Sequence, residues 1–170
     1  MSLITLFGTD HRYQCGGDSC TPAQIEATRQ EILSCCIANS IKRISEEMTT
    51  DGRINYRVTE TIGSKVAREL GIEHQDVDLS IAERTVLALN DSTALNIKNR
   101  IRTRDAGGKL FRVFEEIINQ TRERVWIARI LAGQRWPVLF ILGANHLVAV
   151  ERILKRLGAS VDIAQEDYAP

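Results

Sequence analysis

The feature that most constrains the fold is the stretch Pro137 to His146, which reads Pro-Val-Leu-Phe-Ile-Leu-Gly-Ala-Asn-His. Its run from Val138 to Leu142 is apolar throughout, contains two β-branched residues and one aromatic residue, and is too short for an independent helix. Pro137 and Gly143 bound this run, and such punctuation is typical of a strand that is buried on both faces. The sequence therefore predicts an interior strand, with His146 at the start of a helix that follows it.

The N-terminus carries a second copy of this arrangement. Leu3 to Phe7 is a short apolar run, and Gly8-Thr-Asp-His11 follows it directly. Two buried strands that each end in Gly-x-x-His indicate a site at which His11 and His146 meet. The spacing alone is not specific, because Gly71-Ile-Glu-His74 has it too. For that third case, a helix C-cap followed by a strand accounts for the pattern.

Helical and strand patterns alternate along the rest of the chain. Helices are expected from the capping box Thr21–Gln24 to about Asn39, over Ile62 to Leu70, from the capping box at Ser80 to about Leu89, over Leu110 to Leu131, and from Leu147 to the C-cap Gly158. Weaker strands are expected over Ile72 to Val77 and Val161 to Ala164, with a frayed tail from Gln165. Ile41 to Ser45 fits a helix or a strand, and Asn90 to Gly108 fits a lid or an edge excursion.

This alternation predicts one α/β domain over residues 1–170, with a mostly parallel central sheet covered by helices on both faces. In such folds ligands bind beyond the carboxyl ends of the strands. Both Gly-x-x-His elements fall at such ends, so the topology allows them to converge.

Charge and composition restrict the class of partner. Lys and Arg together number 22, as do Asp and Glu, so no overall field attracts nucleic acid or a membrane surface. No apolar segment is long enough to cross a bilayer and no signal-peptide pattern is present, which predicts a cytoplasmic protein. The four cysteines form no Cys-x-x-Cys pair, so a zinc ribbon is not indicated. A reactive thiol at Cys15 or Cys20, near His11, is a minor alternative.

The two histidines are suited to metal chemistry. A helix N-terminus beside His146 disfavours the imidazolium form, and a metal ligand or general base must be a neutral imidazole. A carboxylate from the adjacent pair Glu46-Glu47 could complete a set of two histidines and one carboxylate, with positions left open for water and substrate. Such a site would support metal-assisted hydrolysis. The alternative is that the two histidines have separate structural roles.

The order of these motifs resembles that of the TraB/GumN/Tiki group, which is related to the wider erythromycin-esterase/ChaN-like superfamily. The matching elements are the strand end Gly8–His11, the strand ending in Glu46-Glu47, the helix motif Arg122-Glu-Arg-Val-Trp126 and the strand end Gly143–His146, followed by a helix, Gly158 and a short strand. Glu123 stands where that helix motif often has asparagine, and the chain is much shorter than typical members.

The resemblance implies a divalent metal ion of the Mn, Co or Zn class held by His11, His146 and Glu46, with Glu47 as the alternative carboxylate. Either glutamate would be a ligand or a general base, and Arg122 would bind or orient an anionic group. The implied function is a hydrolase of peptidase or esterase type that acts on a small-molecule or peptide substrate.

Two other functions are compatible with the same residues. One is a non-catalytic module that binds a small anionic ligand in the same pocket, and the other is a structural role in a domain that acts through partners. The sequence is compatible with a homo-oligomer but contains no feature that predicts one.

Overall fold

The computed structural model describes residues 3–18, 20–87, 89 and 109–170. The segment Asn90 to Gly108, predicted as a lid or an edge excursion, lies outside the described residues.

Five strands form one sheet in which all pairings are parallel, in the order β3-β2-β4-β1-β5. Their bounds are β1 Leu3–Thr9, β2 Arg43–Glu46, β3 Glu73–Asp76, β4 Val138–Gly143 and β5 Ser160–Tyr168. The predicted α/β class with a parallel central sheet is therefore confirmed. The stretch that fitted either a helix or a strand is β2, which pairs with β4 on one side and β3 on the other.

Seven helices connect or flank these strands within the described residues. They are α1 His11–Cys15, α2 Pro22–Ala38, α3 Thr50–Asn55, α4 Ile62–Leu70, α5 Ile81–Val86, α6 Lys109–Ala132 and α7 Leu147–Arg156, with a 3₁₀ turn over Ala144–His146 before α7. Both predicted capping boxes are formed, at Thr21 before α2 and at Ser80 before α5. The short helices α1 and α3 lie in stretches for which the sequence patterns predict neither a helix nor a strand.

Helices cover both faces of the sheet because the interior strands β1 and β4 present apolar side chains in both directions. On one face, strand residues such as Leu6 and Phe140 pack against α6 and α7 in a core that includes Trp126, Ile130, Val150 and Leu154. On the other face, residues such as Phe7 and Ile141 pack against α2 and α4 through Ile32, Cys36, Ile62 and Val66.

The last strand is longer than its apolar pattern predicted. β5 continues to Tyr168, so the expectation of a frayed tail from Gln165 is wrong for the first four of those residues. An edge strand such as this one is held by contacts with a single neighbour. The Thr9 hydroxyl donates to the carbonyl of Tyr168 at 2.9 Å, and the Tyr168 ring lies 5.3 Å from that of Phe7, centroid to centroid.

Gly8 is the residue that allows β5 to lie so close to β1. A Cβ atom at Gly8 would collide with the backbone carbonyl of Glu166, while its φ angle requires nothing unusual. The glycine of the first Gly-x-x-His element therefore has a packing role.

We expect Gly8→Ala to lower the free energy of unfolding by about 1–3 kcal/mol, because β5 must move away from β1 to admit the methyl group. Urea denaturation measures the change. Gly52→Ala is the matched control, since its Cβ would meet mainly the flexible end of Met48. Equal urea midpoints for Gly8→Ala and wild type would contradict this packing of β5.

Candidate functional site

Four neighbouring strands deliver polar side chains to one edge of the sheet. In sheet order these are Asp78 after β3, Glu47 after β2, His146 after β4 and His11 after β1. The carboxyl ends of parallel strands meet at a common edge, which is where ligands bind in open α/β sheets. The structure therefore brings the two Gly-x-x-His elements together.

Glu47 is the centre of this cluster. Its side chain is 1% exposed, and its Oε2 accepts a hydrogen bond from the backbone N–H of Gly143 at 2.8 Å. Its Oε1 accepts from Nη2 of Arg122, also at 2.8 Å. Gly143 permits the first contact, because a Cβ there would already lie 3.2 Å from Oε2.

Both histidines direct the same ring nitrogen towards Glu47. Nε2 of His11 lies 3.5 Å from Oε1 of Glu47, and Nε2 of His146 lies 3.8 Å from the same oxygen. At the opposite side of each ring, Nδ1 of His11 lies 3.0 Å from Oε1 of Gln14 and Nδ1 of His146 lies 2.7 Å from Oε1 of Glu123. When Nδ1 carries the proton and donates to these oxygens, the Nε2 lone pairs face the site.

Asp78 binds the two arginines of the cluster. Its carboxylate accepts from Nε and Nη2 of Arg122 at 3.2 and 2.8 Å, and from Nη2 of Arg84 at 2.6 Å. The indole N–H of Trp126 donates to the same carboxylate at 2.8 Å. The Trp126 ring also meets the His146 ring edge-on at 5.0 Å between centroids, so one side chain links the two halves of the site.

Burial and charge act in opposite directions on these groups. Burial alone would raise the pKa of the Glu47 carboxyl, but the neighbouring His11, Arg122 and His146 outweigh it and hold the pKa below its usual range. For His11, the hydrogen bond to Glu47 raises the pKa more than burial lowers it. Glu47 is therefore a stable carboxylate despite its burial.

Glu46 lies elsewhere. Side chains alternate along a strand, so Glu46 points to the face covered by α4, where its Oε2 accepts from the Thr61 hydroxyl and lies 3.0 Å from Nε2 of His74. Glu47, and not Glu46, is the glutamate beside His11 and His146. Glu46, His74 and Asp76 form a separate group, in which one possible metal-ligand atom from each residue lies within 4.8 Å of those of the other two.

A cavity of about 160 Å³ opens beside the site. Its wall includes His11, Glu47, Asp78, Arg84 and Arg122, together with Thr49, Asp51, Asn55 and Tyr56 of the β2–α4 connection and Leu79 of the β3–α5 connection. Cys15 is buried, and this burial raises the pKa of its thiol to about 12, which disfavours a reactive thiolate there.

Sequence reasoning missed three residues that hold the site in place. Asp78 directly follows the weak strand predicted over Ile72 to Val77, and this position at the carboxyl end of a strand was the available signal. Gln14 lies three positions after His11, a spacing that has meaning only once α1 is known to be a helix. Glu123 was noted only as a departure from asparagine, yet it is the partner of His146.

Comparisons with protein-family models, with curated proteins and with solved structures find no significant match to this chain. Within the described part of the chain, no helix has the length and apolar character needed to cross a membrane.

We expect Arg122→Ala to lower the free energy of unfolding by about 3–5 kcal/mol, because it leaves the buried carboxylates of Glu47 and Asp78 without their shared cation. Arg124→Ala is the matched control on the same helix, since Arg124 is exposed; its expected change is within about 0.5 kcal/mol. Chemical denaturation of both variants measures the difference. Similar losses for the two would mean that the network adds no stability.

The pH dependence of stability should report on Asp78. Burial would raise the pKa of this carboxyl, but Arg122, Trp126 and Arg84 outweigh burial and hold the pKa below its ordinary value of 3.8. A depressed folded-state pKa gives stability that is present above the unfolded-state value and lost as the pH falls through the folded-state value. We therefore expect the free energy of unfolding to decline below about pH 4.

Asp78→Asn should be less stable than wild type at pH 6 and should lose less on acidification. Urea denaturation at several pH values measures both effects. Parallel pH profiles for the two proteins would show that Asp78 does not contribute.

Proposed function

We propose that this chain is a metal-dependent hydrolase whose metal site consists of His11, Glu47 and His146. The observation that carries the proposal is that two histidines direct Nε2 towards one carboxylate oxygen while their Nδ1 atoms are held from behind. A buried acceptor that binds the Nδ1–H of a histidine fixes the tautomer in which Nε2 is free to bind a metal ion.

Each histidine lies near enough to Glu47 to share an ion with it, but ligand atoms from all three residues do not lie within 4.8 Å of one another, so an ion would have to draw the two imidazoles together. Ligand atoms at about 2.1 Å from a tetrahedral ion stand about 3.4 Å apart. The separations of 3.5 and 3.8 Å between the two Nε2 atoms and Oε1 of Glu47 are close to that value. Two imidazoles and one carboxylate suit an ion of the Mn, Co or Zn class.

An ion bound by this set would lower the pKa of a water molecule and polarise a carbonyl group, which is the chemistry of metal-assisted hydrolysis. Arg122 keeps Glu47 in place through Nη2 and is itself held by Asp78 through Nε and Nη2. Its remaining nitrogen, Nη1, is the atom we assign to an anionic group of the substrate.

The size of the cavity limits what can enter it. A volume of about 160 Å³ admits the reacting group and its immediate neighbours, while the rest of a peptide or ester would lie outside. The motif order shared with the TraB/GumN/Tiki group supports a peptidase- or esterase-like reaction. We propose on that basis that the chain is a short, divergent member of the group.

The first test is the metal content of protein purified without chelator or metal-affinity resin, compared with a His11→Ala/His146→Ala double variant. We expect the double variant to lose one equivalent of metal and all hydrolysis in a panel of peptide, ester and amide substrates. Arg124→Ala, at an exposed position of α6, is the control and should retain both the metal and the hydrolysis. Equal metal content and equal activity in the double variant and wild type would falsify the proposal.

Glu123→Gln tests the support behind His146. The substitution keeps the side-chain shape but removes the charge, and we expect metal affinity to fall by about 10–100-fold. Glu116→Gln makes the same chemical change at an exposed position of the same helix and should leave the affinity unchanged. Competition with a chromogenic chelator measures the affinities.

The positions of Arg84 and Arg122 on the cavity wall favour the alternative of a non-catalytic module for a small anionic ligand. That function predicts thermal stabilisation by phosphate or by a small carboxylate, without turnover and without added metal. Stabilisation that persists in the His11→Ala/His146→Ala variant and disappears in Arg84→Ala would favour this alternative.

A further inference from the structure

We propose that Glu46, His74 and Asp76 form a second site for a divalent cation, on the face of the sheet opposite to Glu47. The pairing of β2 with β3 builds this group. Ile44 is in register with His74, and Glu46 with Asp76. Alternation along parallel strands then places Glu46, His74 and Asp76 on one face. One possible ligand atom from each of the three residues lies within 4.8 Å of those of the other two.

Two carboxylate oxygens of this group lack a hydrogen-bond donor. Oε1 of Glu46 and Oδ1 of Asp76 are both buried, and neither has a partner among the described residues. The side chain of Glu46 is 0% exposed, so bulk solvent does not reach it. Buried carboxylate oxygens are normally paired or bound to a metal ion.

The existing contacts account for only one oxygen of each carboxylate. Oε2 of Glu46 accepts from Thr61 and lies beside His74, and Oδ2 of Asp76 is paired with Arg53. A cation between the two strands would use the oxygens that these contacts leave over. Oε1 of Glu46 packs closely against Gly63 at the start of α4, because a Cβ at that position would collide with this oxygen.

The donor set indicates the class of ion. One imidazole nitrogen and two carboxylate oxygens suit Mn²⁺, Co²⁺ or Zn²⁺, whereas Mg²⁺ and Ca²⁺ prefer oxygen ligands alone. The side chain of His74 is 21% exposed, which gives the ion a route from solvent. Glu46 and Glu47 are consecutive, so the end of β2 would contribute one carboxylate to each of two separate sites.

The experiment is a titration of chelator-stripped full-length protein with Mn²⁺, Co²⁺ and Zn²⁺, with stoichiometry read by calorimetry. We expect two equivalents of at least one ion in the wild type and one equivalent in His74→Ala and in Asp76→Asn. Glu73→Gln is the matched control, because Glu73 is exposed on the same strand, and it should retain both equivalents.

A spectroscopic readout that leaves His74 in place keeps the test independent of the folding of the His74→Ala and Asp76→Asn variants. Mn²⁺ should broaden the ring proton resonances of His74 at substoichiometric concentration, and this broadening should persist in His11→Ala. Unchanged His74 resonances, together with equal stoichiometry in His74→Ala and wild type, would overturn the inference.

Failure of this inference is distinguishable from failure of the proposed function. One equivalent that responds only to His11→Ala supports the hydrolase site and removes the second site. One equivalent that responds only to His74→Ala supports the second site and removes the proposed hydrolase site.

Discussion

The rest of the site depends on the burial of the Glu47 carboxylate at the carboxyl edge of the sheet. A carboxylate that is 1% exposed is stable only if donors and cations replace the water it has lost. The N–H of Gly143 and the guanidinium of Arg122 do so directly. The burial of Arg122 in turn requires Asp78, and Asp78 requires the indole N–H of Trp126 and the charge of Arg84. Each residue in this series therefore supplies the donor, acceptor or charge that the burial of the preceding residue requires.

This dependence gives the Arg-x-x-x-Trp spacing of α6 a physical meaning. Arg122 and Trp126 are four residues apart and lie one above the other on the same helix face, with the guanidinium carbon 4.8 Å from the centroid of the indole ring. Both donate to Asp78. Glu123, the next residue, faces His146 instead. A single helix therefore holds both Glu47 and His146, the first through Arg122 and the second through Glu123.

Much of the framework could be predicted from the sequence because it follows from local patterns. The run Val138 to Leu142, the capping box at Thr21 and the C-cap at Gly71 each determine a boundary through short-range chemistry, and the structure has those boundaries. The choice between Glu46 and Glu47 could not be made in the same way. It depends on which face of β2 each side chain occupies, and that becomes known only when the strand is placed between β3 and β4.

Dependence on tertiary contacts also explains why the sequence did not predict the full length of β5 or the roles of Gln14 and Glu123. β5 has polar residues through most of its length, and it is a strand because β1 offers it a free edge. Gln14 and Glu123 are ordinary polar residues until the fold brings them behind His11 and His146. Residues that act through another residue have no motif of their own, so tertiary contacts are the only signal that identifies them.

Charge at the cluster connects the proposed metal site to proton binding. Glu47, Asp78 and Glu123 supply three carboxylates, while Arg84 and Arg122 supply two guanidiniums, so one negative charge is left over. The hydrogen bond to Glu47 and the charge of that carboxylate raise the pKa of His11 more than burial lowers it, so Glu47 favours a proton on this ring. A divalent ion would compete with this proton for the same Nε2 atom, because a ligand nitrogen must be deprotonated. Metal affinity at this site should therefore increase with pH through the titration of His11.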